Sequence, residues 1–133
     1  MYMSITNKNT KKILSQYRHE NDSWKRYLQF IQQENNFLKN RLSQVLQLDT
    51  DVDFLERAEF FQSKFLAEDE TVHLLRQDVH EIEHLLLKDM SDDNNGMNNL
   101  RKKFWKLSRD METVERQFNK LKSDFNTFLL DAA

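Results

Sequence analysis

The sequence predicts an all-α protein, an up-down-up bundle of three long antiparallel helices with coiled-coil-like packing. The 133 residues include no proline and one glycine, Gly96, so few residues are suited to turns. Charged residues make up 32% and hydrophobic residues 38% of the chain, a balance typical of amphipathic helices. Apolar residues also recur at alternating steps of three and four, as they do along one face of a helix.

The first helix is predicted over residues 10–47. We call the line of residues expected to face the other helices its seam. Two asparagines, Asn21 and Asn35, are the polar residues on it. The seam comprises Leu14, Tyr17, Asn21, Trp24, Leu28, Ile31, Asn35, Leu38, Leu42 and Val45.

The second helix is predicted over residues 52–90. Asp49, Thr50 and Asp51 precede it, and their side-chain oxygens can accept the free N–H groups of the first turn. One polar residue, Glu68, interrupts its seam. The seam comprises Phe54, Ala58, Phe61, Phe65, Glu68, Val72, Leu75, Val79, Ile82 and Leu86.

The third helix is predicted over residues 98–130, and its seam is entirely apolar. The polar segment 91–99 contains Gly96, which suits a helix C-cap followed by a loop and a new N-cap. Because both connections are short, neighbouring helices should be antiparallel and form one domain, 1–133. The seam comprises Leu100, Phe104, Leu107, Met111, Val114, Phe118, Leu121, Phe125 and Phe128.

Charge alternates between the three segments. Residues 1–48 have eight Lys or Arg against three Asp or Glu, and residues 49–93 have four against fourteen. Residues 94–133 have eight against five. We therefore expect the acidic second helix to pair electrostatically with the two basic helices beside it.

Residues 80–84 read HEIEH, a match to the H-E-x-x-H signature of zinc metalloproteases. In such a site two histidines and a third protein ligand bind zinc, and the glutamate acts on a bound water. The seam of the second helix leaves His80, Glu81 and His84 on the outer side, and no histidine follows His84. We interpret HEIEH as a surface pattern.

A weaker metal hypothesis uses the same outer stripe, which also carries His73. A surface site of His80 and His84, with Glu81 or His73, stays open as the alternative. Glu70 with His73 and Glu81 with His84 also have the E-x-x-H spacing of di-iron bundles, but those sites use two helices and face inward. The primary prediction is therefore no metal and no cofactor.

The third helix begins with basic residues mixed with aromatics, at Lys102, Lys103, Trp105 and Lys106. Such mixtures can bind nucleic acid or an anionic membrane through phosphate contacts and stacking. Pairing of these lysines with the acidic second helix is the interpretation we favour. Binding to nucleic acid or a membrane stays as the alternative.

Polar residues on the seams, Asn21, Asn35 and Glu68, should find partners if they are buried. Such residues commonly fix the register of packed helices. A ligand pocket inside the bundle is the other interpretation.

A second apolar stripe runs beside the first two seams. Tyr27, Phe30 and Phe37 form it on the first helix, and Phe60 and Leu74 belong to it on the second. Such a stripe is either a wider core or an interface, because exposed aromatics in a row commonly mark contact surfaces. As an interface it predicts a two-fold homodimer surface on the first two helices.

Three stretches of the chain resemble a family of small uncharacterised bacterial helical proteins, namely 20–42, 60–65 and 78–83. The resemblance covers most of the first two helices and implies a helical bundle with no assigned activity. The residues that match are Glu20, Trp24, Leu28, Phe30, Glu34, Phe37, Arg41, Leu42, Phe61, Gln62, Phe65, Glu70, Leu75, Asp78, Glu81 and Glu83.

The resemblance also implies structural roles for Trp24, Glu34 and Arg41. Glu34 and Arg41 are seven residues apart on one helix face, so a buried ion pair between them is one option. The family pattern has histidines near the positions held here by Phe60, Gln77 and Ile82, whereas this chain has His80 and His84 instead, so a histidine metal site common to the family is not expected here.

No cysteine, no signal-peptide core and no apolar run of about 20 residues occur in the chain, which predicts a cytoplasmic protein. We find no nucleophile–base pair, no glycine-rich phosphate loop and no inward-facing pair of carboxylates. The sequence therefore predicts a non-enzymatic protein-interaction or structural module that forms a homodimer.

Overall fold

The computed structural model contains three long helices. It describes the backbone of residues 2–48, 51–88 and 94–132, and the side chains of residues 9–48, 51–88 and 94–131. Helix α1 spans Tyr2–Leu46, α2 spans Val52–Leu86 and α3 spans Asn94–Ala132.

Ion pairs between α1 and α2 show that these helices are antiparallel. Lys25 contacts Glu83, whereas Lys39, further along α1, contacts the earlier residue Asp69. Helix α3 is antiparallel to α2 in turn and therefore parallel to α1. The predicted up-down-up bundle of three helices is confirmed.

Contacts between α3 and α1 run in the same direction along both helices. The rings of Tyr17 and Phe104 stack with centroids 4.1 Å apart, and further along both helices Glu34 lies 3.6 Å from Lys122. The two helices are therefore parallel, with Tyr17 beside Phe104 and Glu34 beside Lys122.

The predicted seams form the core. Every seam residue of α2 is buried, Glu68 included, and on α3 every seam residue is buried except Leu121, which is half-buried. On α1 the seam residues from Asn21 to Leu42 are buried. The seam residues beyond them, Leu14, Tyr17 and Val45, are half-buried. A cluster of stacked and edge-on rings fills one end of the core: Phe54, Phe61, Phe65, Phe125 and Phe128.

Five of the six predicted boundaries differ from the structure, and the end of α1 differs by one residue, Leu46 instead of residue 47. Helix α1 begins at Tyr2 instead of residue 10, because residues 2–9 contain no proline or glycine to end the helix. Helix α2 ends at Leu86 instead of residue 90, and α3 begins at Asn94 and ends at Ala132 instead of spanning 98–130.

Gly96 lies in the first turn of α3, so the prediction that it caps the preceding helix was wrong. Its φ is not positive, so it does not adopt the left-handed conformation that a glycine cap uses. Helix α2 ends without glycine because its last turn tightens: the Leu87 N–H donates to the His84 carbonyl and the Lys88 N–H donates to the Leu85 carbonyl, each at 3.2 Å.

Asp51 is the N-cap of α2. Its backbone is extended, and its carboxylate accepts a hydrogen bond from the Phe54 N–H at 3.2 Å. One of the three predicted capping residues is thereby confirmed. Asp49 and Thr50 lie outside the described residues.

Replacing Asp51 by alanine should lower the free energy of unfolding by about 1 kcal/mol, because the Phe54 N–H loses its acceptor. Urea unfolding followed by circular dichroism measures this change. Asp51→Asn keeps an oxygen at the same position and should lose less than half as much. Equal losses in the two variants would show that the cap contributes through its charge alone.

None of the described helices is both long enough and apolar enough to cross a bilayer.

Candidate functional site

A polar ladder joins α1 and α2 along one side of the bundle. The Lys25 ammonium donates to the Glu83 carboxylate at 3.0 Å, and this hydrogen bond lowers the pKa of Glu83. Two helical turns further along α1, Gln32 accepts a hydrogen bond from Arg76. The pairs of Lys25 with Glu83 and of Lys39 with Asp69 support the predicted attraction between the basic first helix and the acidic second helix.

The basic start of α3 is partly engaged within the protein. Lys103 forms an ion pair with Glu81 of α2, as the charge pattern predicts. Lys106 instead pairs with Asp110 on its own helix at 2.9 Å, and this hydrogen bond raises the pKa of Lys106. Lys102 is exposed. Two of the three lysines therefore have acidic partners inside the chain.

All three candidate histidines lie on the outer side of α2, where the seam predicts them. His73, His80 and His84 are exposed, and the nearest acidic contact of His80 is the Glu83 carboxylate at 3.5 Å. Glu81, the base of the literal zinc-protease pattern, is in an ion pair with a lysine. Across residues 9–48, 51–88 and 94–131, no three His, Cys, Asp or Glu side chains gather closely enough to hold a metal ion.

A groove of about 620 Å³ lies between α1 and α2. His73 and His80 line it together with residues of the polar ladder, among them Lys25, Glu83 and Asp69. Because these charges pair with one another, the groove offers a ligand few uncommitted charges.

The two buried asparagines each tie α1 to the backbone of α2. The Asn21 amide donates to the Val79 carbonyl at 3.0 Å, and the Asn35 amide donates to the Phe65 carbonyl at 2.9 Å. Asn35 also donates to Asp69 at 2.7 Å. These contacts fix the register of α1 against α2, which is the role predicted for polar seam residues.

Asp69 was not predicted from the sequence to have a role, although its carboxylate accepts hydrogen bonds from both Asn35 and Lys39. It lies one residue after the seam position Glu68. A signal was present, because residues at this position of the heptad flank the seam and commonly pair across two helices.

Glu68 is the one charged residue buried in the core that the structure describes. Its side chain lies at the base of a groove of about 380 Å³ between α2 and α3, beside Phe60 and Phe61. One carboxyl oxygen is fully buried and accepts no hydrogen bond from any described residue. Burial, and to a lesser extent the nearby Asp69, raises the pKa of Glu68 from 4.5 to about 7.

The apolar stripe on α1 is exposed at two aromatic rings. Phe30 is 49% exposed and Phe37 is 60% exposed. Tyr27 is half-buried, and its ring lies 6.1 Å from the ring of Phe30. Burial raises the pKa of Tyr27, as do the nearby carboxylates of Glu115 and, less strongly, Glu68. Tyr27 therefore lies on the side of α1 that faces α3, and the two exposed rings lie next to it on the outer side of α1.

The apolar residues on α2 lie across α3 from this stripe. Phe60 and Leu74 are 57% and 51% exposed and line two grooves between α2 and α3. The Lys64 ammonium sits 5.4 Å from the centre of the Phe60 ring. Because α3 lies between the two sets, they form two separate apolar patches, and the predicted homodimer surface stays a prediction.

Glu34 and Arg41 do not form the buried pair considered from the sequence. Arg41 is exposed, and the Glu34 carboxylate lies 3.6 Å from the Lys122 ammonium of α3. Residues seven apart are two helical turns distant, about 10 Å along the axis, so a residue on the neighbouring helix is the nearer partner.

Comparisons with known protein families, curated proteins and solved structures found no match. The resemblance to bacterial helical proteins therefore stays a prediction.

Proposed function

We propose that this chain is a non-enzymatic, cytoplasmic protein-interaction module that forms a homodimer through the stripe on α1. Its contact surface is the pair of exposed rings at Phe30 and Phe37, which we call the α1 aromatic edge. The bundle supplies a rigid support for this edge, and no chemical step is required of it.

The observation that carries this proposal is the exposure of two large rings in line on one rigid helix. Aromatic residues dominate the energetics of protein interfaces because they bury large apolar areas at low entropic cost. In the described structure, Phe37 contacts no other aromatic ring and no cation sits over it. Its apolar surface is thus left to solvent in the single chain.

The α1 edge is favoured over the aromatic on α2 by its surroundings. Phe60 packs edge-on against Phe61 at 5.5 Å and has Lys64 over its ring, so part of its apolar surface is already satisfied within the chain. The α1 edge also carries two exposed rings seven residues apart, whereas the stripe on α2 carries one, so the α1 edge offers more aromatic surface to a partner.

Replacing Phe30 by glutamate should weaken the dimer at least about thirtyfold, because each copy would place a charge in an apolar contact. Sedimentation equilibrium of the untagged chain measures the dissociation constant. Folding should persist, since Phe30 is about half exposed in the single chain, and circular dichroism checks this. Phe37→Glu should act in the same way.

Phe60→Glu is the matched control, because it makes the same change at an equally exposed ring on α2. It should leave the dissociation constant within about threefold of the original value. If Phe60→Glu dissociates the dimer and Phe30→Glu does not, the contact surface lies on α2 and the proposal for α1 is wrong.

A further inference from the structure

We infer that two copies of the chain associate through antiparallel α1 helices, with Phe30 on the two-fold axis. This inference rests on the proposed function and adds the partner, the orientation and the register. It comes from the order of charges beside the α1 aromatic edge, which fits a second copy running in the opposite direction.

Residues seven apart on a helix lie on nearly the same face. One line on the outer side of α1 contains Ser23, Phe30 and Phe37, all exposed. If the two-fold axis passes through Phe30, the rings of Phe30 from the two copies meet. Phe37 of each copy then lies over the small Ser23 of the partner subunit, which leaves room for a ring.

A second line, adjacent to the first and nearer α3, contains Glu20, Tyr27, Glu34 and Arg41. It is acidic at its start and basic at its end. Glu20 and Arg41 are both exposed, and within the described residues neither forms an ion pair. The two end charges are therefore available to a partner.

An antiparallel copy brings opposite ends of this line together. With the axis at Phe30, Glu20 of one protomer comes within one residue of the level of the partner's Arg41, and symmetry makes this pair twice. Tyr27 comes within one residue of the level of the partner's Glu34. A parallel two-fold copy would instead place this line on opposite sides of the contact in the two protomers, so Glu20 could not reach the partner's Arg41.

Charge reversal at the two ends tests this arrangement. Glu20→Arg alone and Arg41→Glu alone should each weaken the dimer about tenfold, because each variant turns two attractive pairs into two repulsive ones. The double variant carrying both changes exchanges the charges and should recover the original dissociation constant within about twofold. Sedimentation equilibrium at low ionic strength measures all three.

Asp22→Arg is the matched control for Glu20→Arg. It makes the same change in net charge on an exposed residue, but two positions along, on the opposite side of the helix. Its dissociation constant should stay within about twofold of the original value.

The outcomes separate this inference from the function it rests on. If Phe30→Glu dissociates the dimer while neither charge reversal weakens it, the self-association stands and the antiparallel register is wrong. The register is also wrong if the double variant is no tighter than the single variants, or if Asp22→Arg is as weak as Glu20→Arg. A chain that is monomeric before any substitution contradicts both proposals.

Discussion

Replacing Phe65 by alanine should lower the free energy of unfolding by about 3–5 kcal/mol, the range for deleting a fully buried aromatic ring. Phe65 is 0% exposed, and its ring packs edge-on against Phe125 of α3 with centroids 5.0 Å apart. The substitution leaves a cavity where α2 meets α3, and the long helices on either side limit how far the core can close around it. Urea unfolding at one protein concentration measures the loss.

Phe60→Ala is the matched control for this prediction, because it deletes the same ring five residues earlier on α2 where it is 57% exposed. It should cost less than about 1 kcal/mol. If the two losses are similar, Phe65 does not lie at the centre of the core and the packing of α2 described above is wrong.

Glu68→Gln should stabilise the protein by roughly 1–3 kcal/mol at pH 8 and should have little effect near pH 4. The folded protein raises the pKa of Glu68 from 4.5 to about 7 because the carboxyl group is buried. Between these pH values the folded chain keeps a proton that the unfolded chain has released. The contribution of Glu68 to stability therefore falls as pH rises from about 4.5 to about 7, and stays low above that range.

Glutamine has nearly the same shape as glutamate and is neutral at every pH used here, so the variant avoids the burial of a charge. Urea unfolding of both proteins at pH 4, 6 and 8 gives the difference, and other titrating groups cancel in it. Glu70→Gln, on the exposed side of α2, is the control and should change stability by less than about 0.5 kcal/mol at each pH. A constant difference for Glu68→Gln across this range would show that Glu68 titrates normally.

The core could be predicted closely from the sequence because the period of the seams carries that information. The burial of Glu68 followed from its position between Phe65 and Val72 on the apolar line, despite its charge. In the same way the seam placed Asn35 inside the bundle. A group that is polar and yet lies on a seam is informative, since the helix must bury whatever occupies that position.

The side of the α1–α2 pair on which α3 packs could not be predicted. A heptad pattern shows which face of a helix is buried, but either hand of a three-helix bundle buries the same faces. The relation of Phe30 to Phe60 depends on this choice, because α3 lies between them. The seams alone therefore could not separate the aromatic edge on α1 from the apolar residues on α2.

The helix ends were the other part that sequence reasoning missed. Gly96 is the residue type most suited to ending a helix, yet it lies inside the first turn of α3. One glycine costs a helix only about 1 kcal/mol relative to alanine, which the packing of a 39-residue helix outweighs. The choice of Lys122 as the partner of Glu34 likewise depends on the neighbouring helix, which local spacing does not reveal.

The seam polar groups and the aromatic edge have separate roles in this account. Asp69 of α2 accepts hydrogen bonds from both Asn35 and Lys39 of α1, and these contacts hold α1 in register against α2. This register fixes α1 as a rigid element and keeps Phe30 and Phe37 in line. A rigid edge loses little conformational entropy on association, which favours binding through a small number of aromatic contacts.

The central claim is that the chain associates with a second copy of itself, and sedimentation equilibrium of the untagged, unsubstituted protein tests it most directly. The account predicts a mass that rises with concentration from the chain mass of 16.2 kDa to twice that value and no further, because a two-fold contact closes on itself. A mass that stays at 16.2 kDa throughout the micromolar range would contradict the claim.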